Sequence, residues 1–266
     1  MTRRRLDAEL VRRGLARSRE QAGELVAAGR VIVDGAVAAK SATQVDAAAA
    51  VVVRAGARPD YVSRGAHKLV GALAAFAPEG LRVRGRRCLD AGASTGGFTD
   101  VLLREGAREV VAVDVGYGQL AWRLRTDERV TVVDRTNVRT LSVERIGGAV
   151  DLVVADLSFI SLALVLPALH TVSRADADLV LMVKPQFEVG RERLGDGGVV
   201  RDPELRSQAV RKIADAAAQL ELGVAGVTAS PLPGPAGNVE YFLWLRAGAP
   251  DLEPAALDRA VTEGPQ

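Results

Sequence analysis

A chain of 266 residues with 48% apolar and 26% charged positions has the composition of a soluble protein, with room for one large domain and a smaller one. It contains no run near the roughly 18–20 apolar residues of a membrane helix and no apolar stretch behind Met1-Thr2-Arg3-Arg4-Arg5 to make a secretory leader; with Cys88 its one cysteine and His67 and His170 its only histidines, intrachain disulfides and the usual zinc ligand sets are excluded. The net charge of +2 conceals a split, because residues 1–87 carry 17 Lys and Arg against 8 Asp and Glu, and residues 88–266 carry 18 against 25, which fits a basic front that meets a polyanion such as nucleic acid.

The front of the chain reads as a compact unit over residues 1–58. Leu6, Leu10, Val11 and Leu15 recur at helical spacing and Gly14 falls near the end of that helix. Ser18 stands where an N-cap belongs, with Gln21 three residues on, and Ala22, Leu25 and Val26 form the apolar face of a second helix ending at Gly29. Val31-Ile32-Val33-Asp34-Gly35-Ala36-Val37 predicts a strand, an Asp-Gly turn and a second strand, and Ala50 to Arg54 predicts a further one. The pattern R-L-D-x-x-L-V-x-R-G-L-A-x-S-R-x-x-A followed by A-G-x-V-x-V-D-G resembles the small α+β RNA-binding domain named after the fourth small-subunit ribosomal protein. The resemblance implies that Arg3, Arg4, Arg12, Arg17, Ser18 and Arg19 face RNA phosphates as helix-borne groups.

Arg58-Pro59-Asp60 punctuates the chain, and residues 59–63 read as a linker to a domain spanning 64–249. There, strand candidates at Arg87–Ala91, Val110–Asp114, Val130–Val133, Val150–Ala155, Asp178–Val183, Gly223–Ala229 and Tyr241–Arg246 alternate with helical segments. That alternation is the signature of a doubly wound α/β sheet. Residues 250–266, with Pro250, Pro254 and Pro265, read as a loose tail, and Gly190 to Asp202 as a mobile, glycine-rich loop. Cys88 lies inside an apolar strand pattern and reads as a buried structural thiol.

Cys88 to Phe98 predicts a strand running through a G-x-x-x-G-G turn into a helix. Glycines there let a ligand approach the backbone closely, although the dinucleotide fingerprint G-x-G-x-x-G is not met. Asp114 ends the next strand twenty-two residues after Gly92, where a carboxylate can accept both ribose hydroxyls of an adenosine. Asp90 is expected to add acid at the mouth, which suits a cationic sulfonium ligand with an amino group better than a pyrophosphate. S-adenosyl-L-methionine is therefore the expected cofactor.

Polar residues also gather where strands end, at Arg64-Gly65-Ala66-His67-Lys68, Ala155-Asp156-Leu157-Ser158-Phe159, Val183-Lys184-Pro185-Gln186-Phe187-Glu188 and Asn238-Val239-Glu240-Tyr241. Thirty-one of the 35 cations are arginine; the lysines are Lys40, Lys68, Lys184 and Lys212. A lysine kept in so arginine-rich a chain marks a position where an ammonium that can lose its proton has a use. Phe187 and Tyr117 are candidates to stack on an extruded base.

The segments A-S-T-G-G-F-T-D, A-V-D-V-G-Y-G-Q-L, R-T-N-V-R, D-L-S-F-I-S-L, V-K-P-Q-F-E, G-G-V-V-R-D and G-N-x-E-Y resemble the TlyA family, ribosomal RNA 2′-O-methyltransferases related to FtsJ-type enzymes and also known by haemolysin names. The likeness runs from residue 3 to about 246; Ala66 stands where the family often has glycine, and Asp134 where it often has glutamate. It implies a Rossmann-like class I methyltransferase fold with a mostly parallel seven-stranded sheet, and Lys68, Asp156, Lys184 and Glu240 as a catalytic K-D-K-E tetrad. Lys184 would be the base or hydroxyl-orienting group, Asp156 its partner, and Lys68 and Glu240 the holders of the ribose. The cofactor would rest on Asp90, Gly92, Ser94, Thr95, Gly96, Gly97, Phe98, Asp114, Asp134 and Asn137, with no metal. The expected substrate is a cytidine ribose in small- or large-subunit ribosomal RNA, and the expected setting a cytoplasmic monomer on ribosomal subunits without stable membrane association. An NAD-dependent oxidoreductase leaves the basic front unexplained, and a membrane-damaging haemolysin needs an apolar or amphipathic segment the chain lacks.

Overall fold

The computed structural model describes residues 3–16, 18–54 and 61–264; Arg17 and the Arg58-Pro59-Asp60 punctuation lie outside the described residues. The chain divides into two compact units, Met1–Asp60 and Tyr61–Gln266.

In the first unit β1 (Arg3–Arg5) leads directly into α1 (Leu6–Arg12), followed by α2 (Arg19–Ala27), β2 (Val31–Val33), β3 (Ala36–Val37), β4 (Gln44–Asp46) and β5 (Val51–Val53). Leu6, Leu10, Ala22, Leu25, Val26, Val31 and Val45 close a small core. The Ser18 hydroxyl accepts the Gln21 amide at 3.1 Å and caps α2 as expected. Asp34 and Gly35 both have positive φ (48° and 85°), the geometry that joins β2 to β3 in a two-residue hairpin. Arg3 and Arg4, expected on a helix, instead lie on β1, which pairs antiparallel with β4. Three successive arginines offer no apolar period to nucleate a helix, and the Leu6 amide bonds the Thr43 carbonyl at 2.8 Å, holding the run extended.

The second unit opens on α3 (Ala66–Phe76) and continues through β6 (Arg87–Ala91), α4 (Gly97–Arg104), β7 (Glu109–Val113), α5 (Trp122–Arg125), β8 (Val130–Val133), β9 (Val150–Ala155) and α6 (Leu166–Thr171). Then come β10 (Ser173–Val183), α7 (Pro185–Glu188), α8 (Pro203–Ala218), β11 (Leu222–Ala229), β12 (Tyr241–Ala247) and α9 (Pro254–Glu263). The sheet order is β11-β12-β10-β9-β6-β7-β8, parallel except where β12 runs antiparallel to β10 and β11. Alternate strand residues serve two separate cores. Leu89, Ala91, Val111 and Val153 pack under α6, α8 and α9, while Cys88, Val110, Ala112 and Val154 pack under α3 and α4. Both faces are therefore covered, as a doubly wound parallel sheet requires. Burial pushes the Cys88 thiol up to about 12, an inert group.

Two boundaries differ from expectation. The segment read as a loose tail contains α9, whose Leu257, Ala260 and Val261 sit at helical spacing and are buried. Pro254 occupies the first turn of that helix, where proline is tolerated. Tyr61 to Ser63, read as the end of a linker, pack on the second unit. Val62 is buried with its amide on Asp100 at 2.9 Å, and the Arg104 guanidinium covers the Tyr61 ring at 4.5 Å. The far end of the Gly190–Asp202 segment is also anchored: Asn238 accepts the Val200 amide at 2.9 Å, and Arg206 donates to the Val200 carbonyl at 2.9 Å.

Candidate active site

The carboxyl ends of β6, β7, β9 and β10 share one edge of the sheet, the place where open α/β folds bind ligands. After β6 the chain turns through Gly92 (φ 87°), Ser94 (φ 47°) and Gly96 (φ 95°). A Cβ on Gly92 would lie 2.5 Å from the Asp156 carbonyl, so this turn runs against the loop after β9 only because a glycine is there. Ser94 is held in the left-handed region by its amide, which donates to the Asp114 carboxylate at 2.8 Å; the other Asp114 oxygen accepts the Gly116 amide at 2.7 Å. Thr95 is exposed, and its carbonyl accepts the Ala121 amide at 3.1 Å. Asp134 accepts the Gly118 amide at 3.2 Å and pairs with Arg125 at 3.1 Å. Asn137 caps a short 3-10 turn by accepting the Arg139 amide at 3.0 Å.

Three of the expected cofactor residues lie beneath this turn rather than along it. Asp90, expected at the mouth, is fully buried: it faces α4, accepts the Thr99 hydroxyl at 2.7 Å, and leaves its Oδ1 without a partner. Burial pushes its carboxyl up to about 7. Phe98 is a core ring, 6.1 Å from Phe242. Gly97 packs where a Cβ would collide with the Ser63 hydroxyl.

The four expected catalytic residues form two neighbouring ion pairs. Lys68, on α3, pairs with Glu240, and both are buried. Lys184 follows β10 and pairs with Asp156, which follows β9, at 2.6 Å. The Lys184 ammonium also donates to the Ser158 hydroxyl at 2.9 Å. In the β10–β12 ladder Val183 stands opposite Tyr241, which sets Lys184 and Glu240 side by side just beyond the paired residues. The Lys184 side chain is 9% exposed and that of Asp156 25%, so this pair borders solvent. Beside it Phe159 (φ 63°) stands 91% exposed, with its ring 5.3 Å from that of Phe187. Tyr117 is exposed under the Arg135 guanidinium at 4.3 Å. Ser158 was given no role by sequence reasoning; its place two residues past Asp156 at a strand end was the available signal.

Of the groups expected to face RNA, Arg3 and Arg4 are exposed on β1. Arg12 binds Glu9 and Arg19 binds Asp7, each keeping a largely exposed side chain. Ser18 spends its hydroxyl on the α2 cap, and Arg17 lies outside the described residues.

Residues 61–247 match the FtsJ-like methyltransferase family and residues 4–51 match the S4 domain. The chain is 62% identical over 267 residues, 98% of each protein, to the 16S/23S rRNA (cytidine-2′-O)-methyltransferase TlyA of Mycobacterium tuberculosis. It belongs to the TlyA family of FtsJ-like methyltransferases. Hemolysin A of Brachyspira hyodysenteriae is 34% identical over 90% of this chain and 98% of its own length. A solved structure of a hemolysin-named protein from Streptococcus thermophilus superposes with a TM-score of 0.76 at 37% identity, covering 99% of this chain and 96% of that one. This chain thus shares its sequence pattern with one hemolysin-named protein and its fold with another. No helix among the described residues is long and apolar enough to cross a membrane.

Proposed function

We propose that the chain methylates the 2′-hydroxyl of a cytidine in small- or large-subunit ribosomal RNA, with S-adenosyl-L-methionine as donor, acting as a monomer on ribosomal subunits. The observation that carries the reading is Lys184 held between Asp156 and Ser158, beside the Lys68–Glu240 pair, next to the Gly92–Gly96 turn. The cofactor fits this edge on two grounds: a strand that ends in a turn of positive-φ glycines, which brings backbone close to the strand ends, and Asp114 at the end of β7 beside it. Ser94, Thr95 and Gly96 would border it, Asp114 would accept its ribose hydroxyls, and Asp134 and Asn137 would lie towards the adenine. Asp90, Gly97 and Phe98 would hold the turn from beneath.

When bound, the cofactor supplies an electrophilic methyl on a sulfonium. A ribose hydroxyl is a poor nucleophile at neutral pH and must lose its proton as its oxygen attacks that methyl in line. Lys184 orients the hydroxyl, and its nitrogen can accept the hydroxyl proton only after passing one of its own to Asp156 or to solvent, an exchange a guanidinium does not make. Asp156 and Ser158 fix the position of its nitrogen. Lys68 and Glu240 neutralise one another and hold the ribose from the α3 side, so that attack is set up by position. The S4 unit brings the RNA, through Arg3, Arg4, Arg12, Arg17 and Arg19 to phosphates. Tritiated S-adenosylmethionine incubated with isolated ribosomal subunits tests the reading. Label in RNA at a linkage that resists alkaline cleavage is expected, and absence of label with both subunits would refute it.

A further inference from the structure

Glu188 closes the V-K-P-Q-F-E segment and is given no part in the chemistry above, yet its carboxylate is among the most heavily bonded groups in the second unit. The side chain is 1% exposed. One oxygen accepts the Leu162 amide at 2.7 Å; the other accepts the Ser161 hydroxyl at 2.5 Å and the Lys212 ammonium at 3.1 Å. Lys212, on α8, donates also to the backbone carbonyl of Glu188 at 2.9 Å. A buried carboxylate needs both an ion-pair partner and hydrogen bonds to its remaining lone pairs. The two bonds to Ser161 and Leu162 supply part of that compensation and also tie two loops together.

Ser161 and Leu162 end the loop that leaves β9, and that loop carries Asp156, Ser158 and Phe159. Glu188 ends the turn that leaves β10, four residues after Lys184. The two loops therefore meet twice, once through Lys184 with Asp156 and Ser158, and once through Glu188 with Ser161 and Leu162. Between the two contacts the β9 loop passes through Phe159 in the left-handed region (φ 63°), a conformation that costs a non-glycine residue about 1–2 kcal/mol and needs the surroundings to hold it.

We propose that Glu188 is a positioning residue for methyl transfer: it clamps the β9 loop to the β10 turn and thereby sets Asp156 and Ser158 against the Lys184 ammonium. The inference rests on the ribose-methylation reading. It places the control of Lys184 geometry in a group that touches neither cofactor nor RNA, and a displacement of about 1 Å at a reacting centre can cost on the order of 100-fold in rate.

The test uses the full chain as Glu188→Gln and Ser161→Ala, separately and together. Glu188→Gln keeps the shape of the side chain but sets an amide nitrogen against the Lys212 ammonium and removes the charge that draws Ser161. Each single variant is expected to lower kcat by about 10–100-fold while KM for both substrates and cofactor affinity stay within about threefold. The double variant should fall well short of the product of the two, because both changes break one clamp. Deuterium uptake across residues 156–162 should rise in both variants. Unchanged kcat and unchanged exchange would overturn the proposal, as would a kcat loss matched by equal losses of cofactor affinity and melting temperature. Should Glu188→Gln fail to fold, Ser161→Ala decides by the same criteria. If the unaltered protein methylates no ribosomal RNA, the functional reading falls, and the exchange comparison still decides whether the clamp exists.

Discussion

The buried carboxyl of Asp90 ties the stability of the second unit to pH with a definite sign. Its folded value of about 7 stands some three units above the ordinary 3.8. Burial is the main cause, and the negative fields of Asp156 and Asp114 add to it against the opposing Thr99 bonds. Below about pH 4 both folded and unfolded chains carry the proton and the group is neutral to stability. Between pH 4 and 7 the unfolded chain releases a proton that the folded chain keeps, so stability falls as pH rises, and above 7 the full loss is present. Three units at about 1.4 kcal/mol each give a loss of about 4 kcal/mol at most. Asp90→Asn keeps an acceptor for the Thr99 hydroxyl and has no charge to desolvate. Without cofactor, its melting temperature should come closest to that of the unaltered protein at or below about pH 4 and exceed it by a growing margin up to pH 8. In a unit of this size the gap should be roughly 5–15 °C. Calorimetric scans of the full chain at both pH values measure this. A difference that does not change with pH, or an unaltered protein that is the more stable at pH 8, would refute the reasoning.

Three further outcomes follow from the same geometry. Lys184→Ala should abolish methyl transfer while cofactor binding persists by titration calorimetry; loss of both together would make Lys184 a structural group. Gly92→Ala sets a Cβ 2.5 Å from the Asp156 carbonyl, a backbone atom that cannot swing aside, at a φ of 87°. It should cost about 2–4 kcal/mol and depress kcat, and a melting temperature within 2 °C of the unaltered protein would contradict the close approach. In the first unit, hydrogen bonds from Arg12 and Arg13 hold the Glu9 carboxyl down to about 2, and Arg5 holds that of Asp7 lower still. Stability from such depressed carboxyls is present above about pH 4 and is lost as pH falls towards 2. The thermal stability of the first unit should therefore fall between about pH 4 and 2, and fall less in Glu9→Gln; an identical pH dependence in the two proteins would refute the pairing.

Much of the second unit was legible because its central strands are buried on both faces. Val130–Val133 and Val150–Ala155 are each apolar but for one residue, Arg87–Ala91 carries Cys88, Leu89 and Ala91 alongside its charges, and the observed bounds of all three coincide with the expected ones. β1 was not legible, since pairing by backbone bonds alone leaves no trace in three arginines. α9 was hidden by its prolines, which read as breaks although Pro254 opens the helix. Lys68, Asp156, Lys184 and Glu240 were visible through their motifs and strand-end positions. The depth of Asp90 followed from strand alternation, which puts it on the same face as the buried Cys88, but the motif drew attention to the turn instead. Ser158 and Glu188 acquire roles only where two loops distant in sequence meet, and no local pattern reports such a meeting.

We propose that Lys184 and its partners direct a methyl group to a ribose oxygen of cytidine. Nucleoside mass spectrometry of ribosomal RNA, taken from subunits incubated with the protein and S-adenosylmethionine, decides the point. New 2′-O-methylcytidine, absent when Lys184→Ala replaces the unaltered protein, is the predicted result. Methylation on a base, or 2′-O-methylcytidine formed equally by Lys184→Ala, would rule out this role for Lys184.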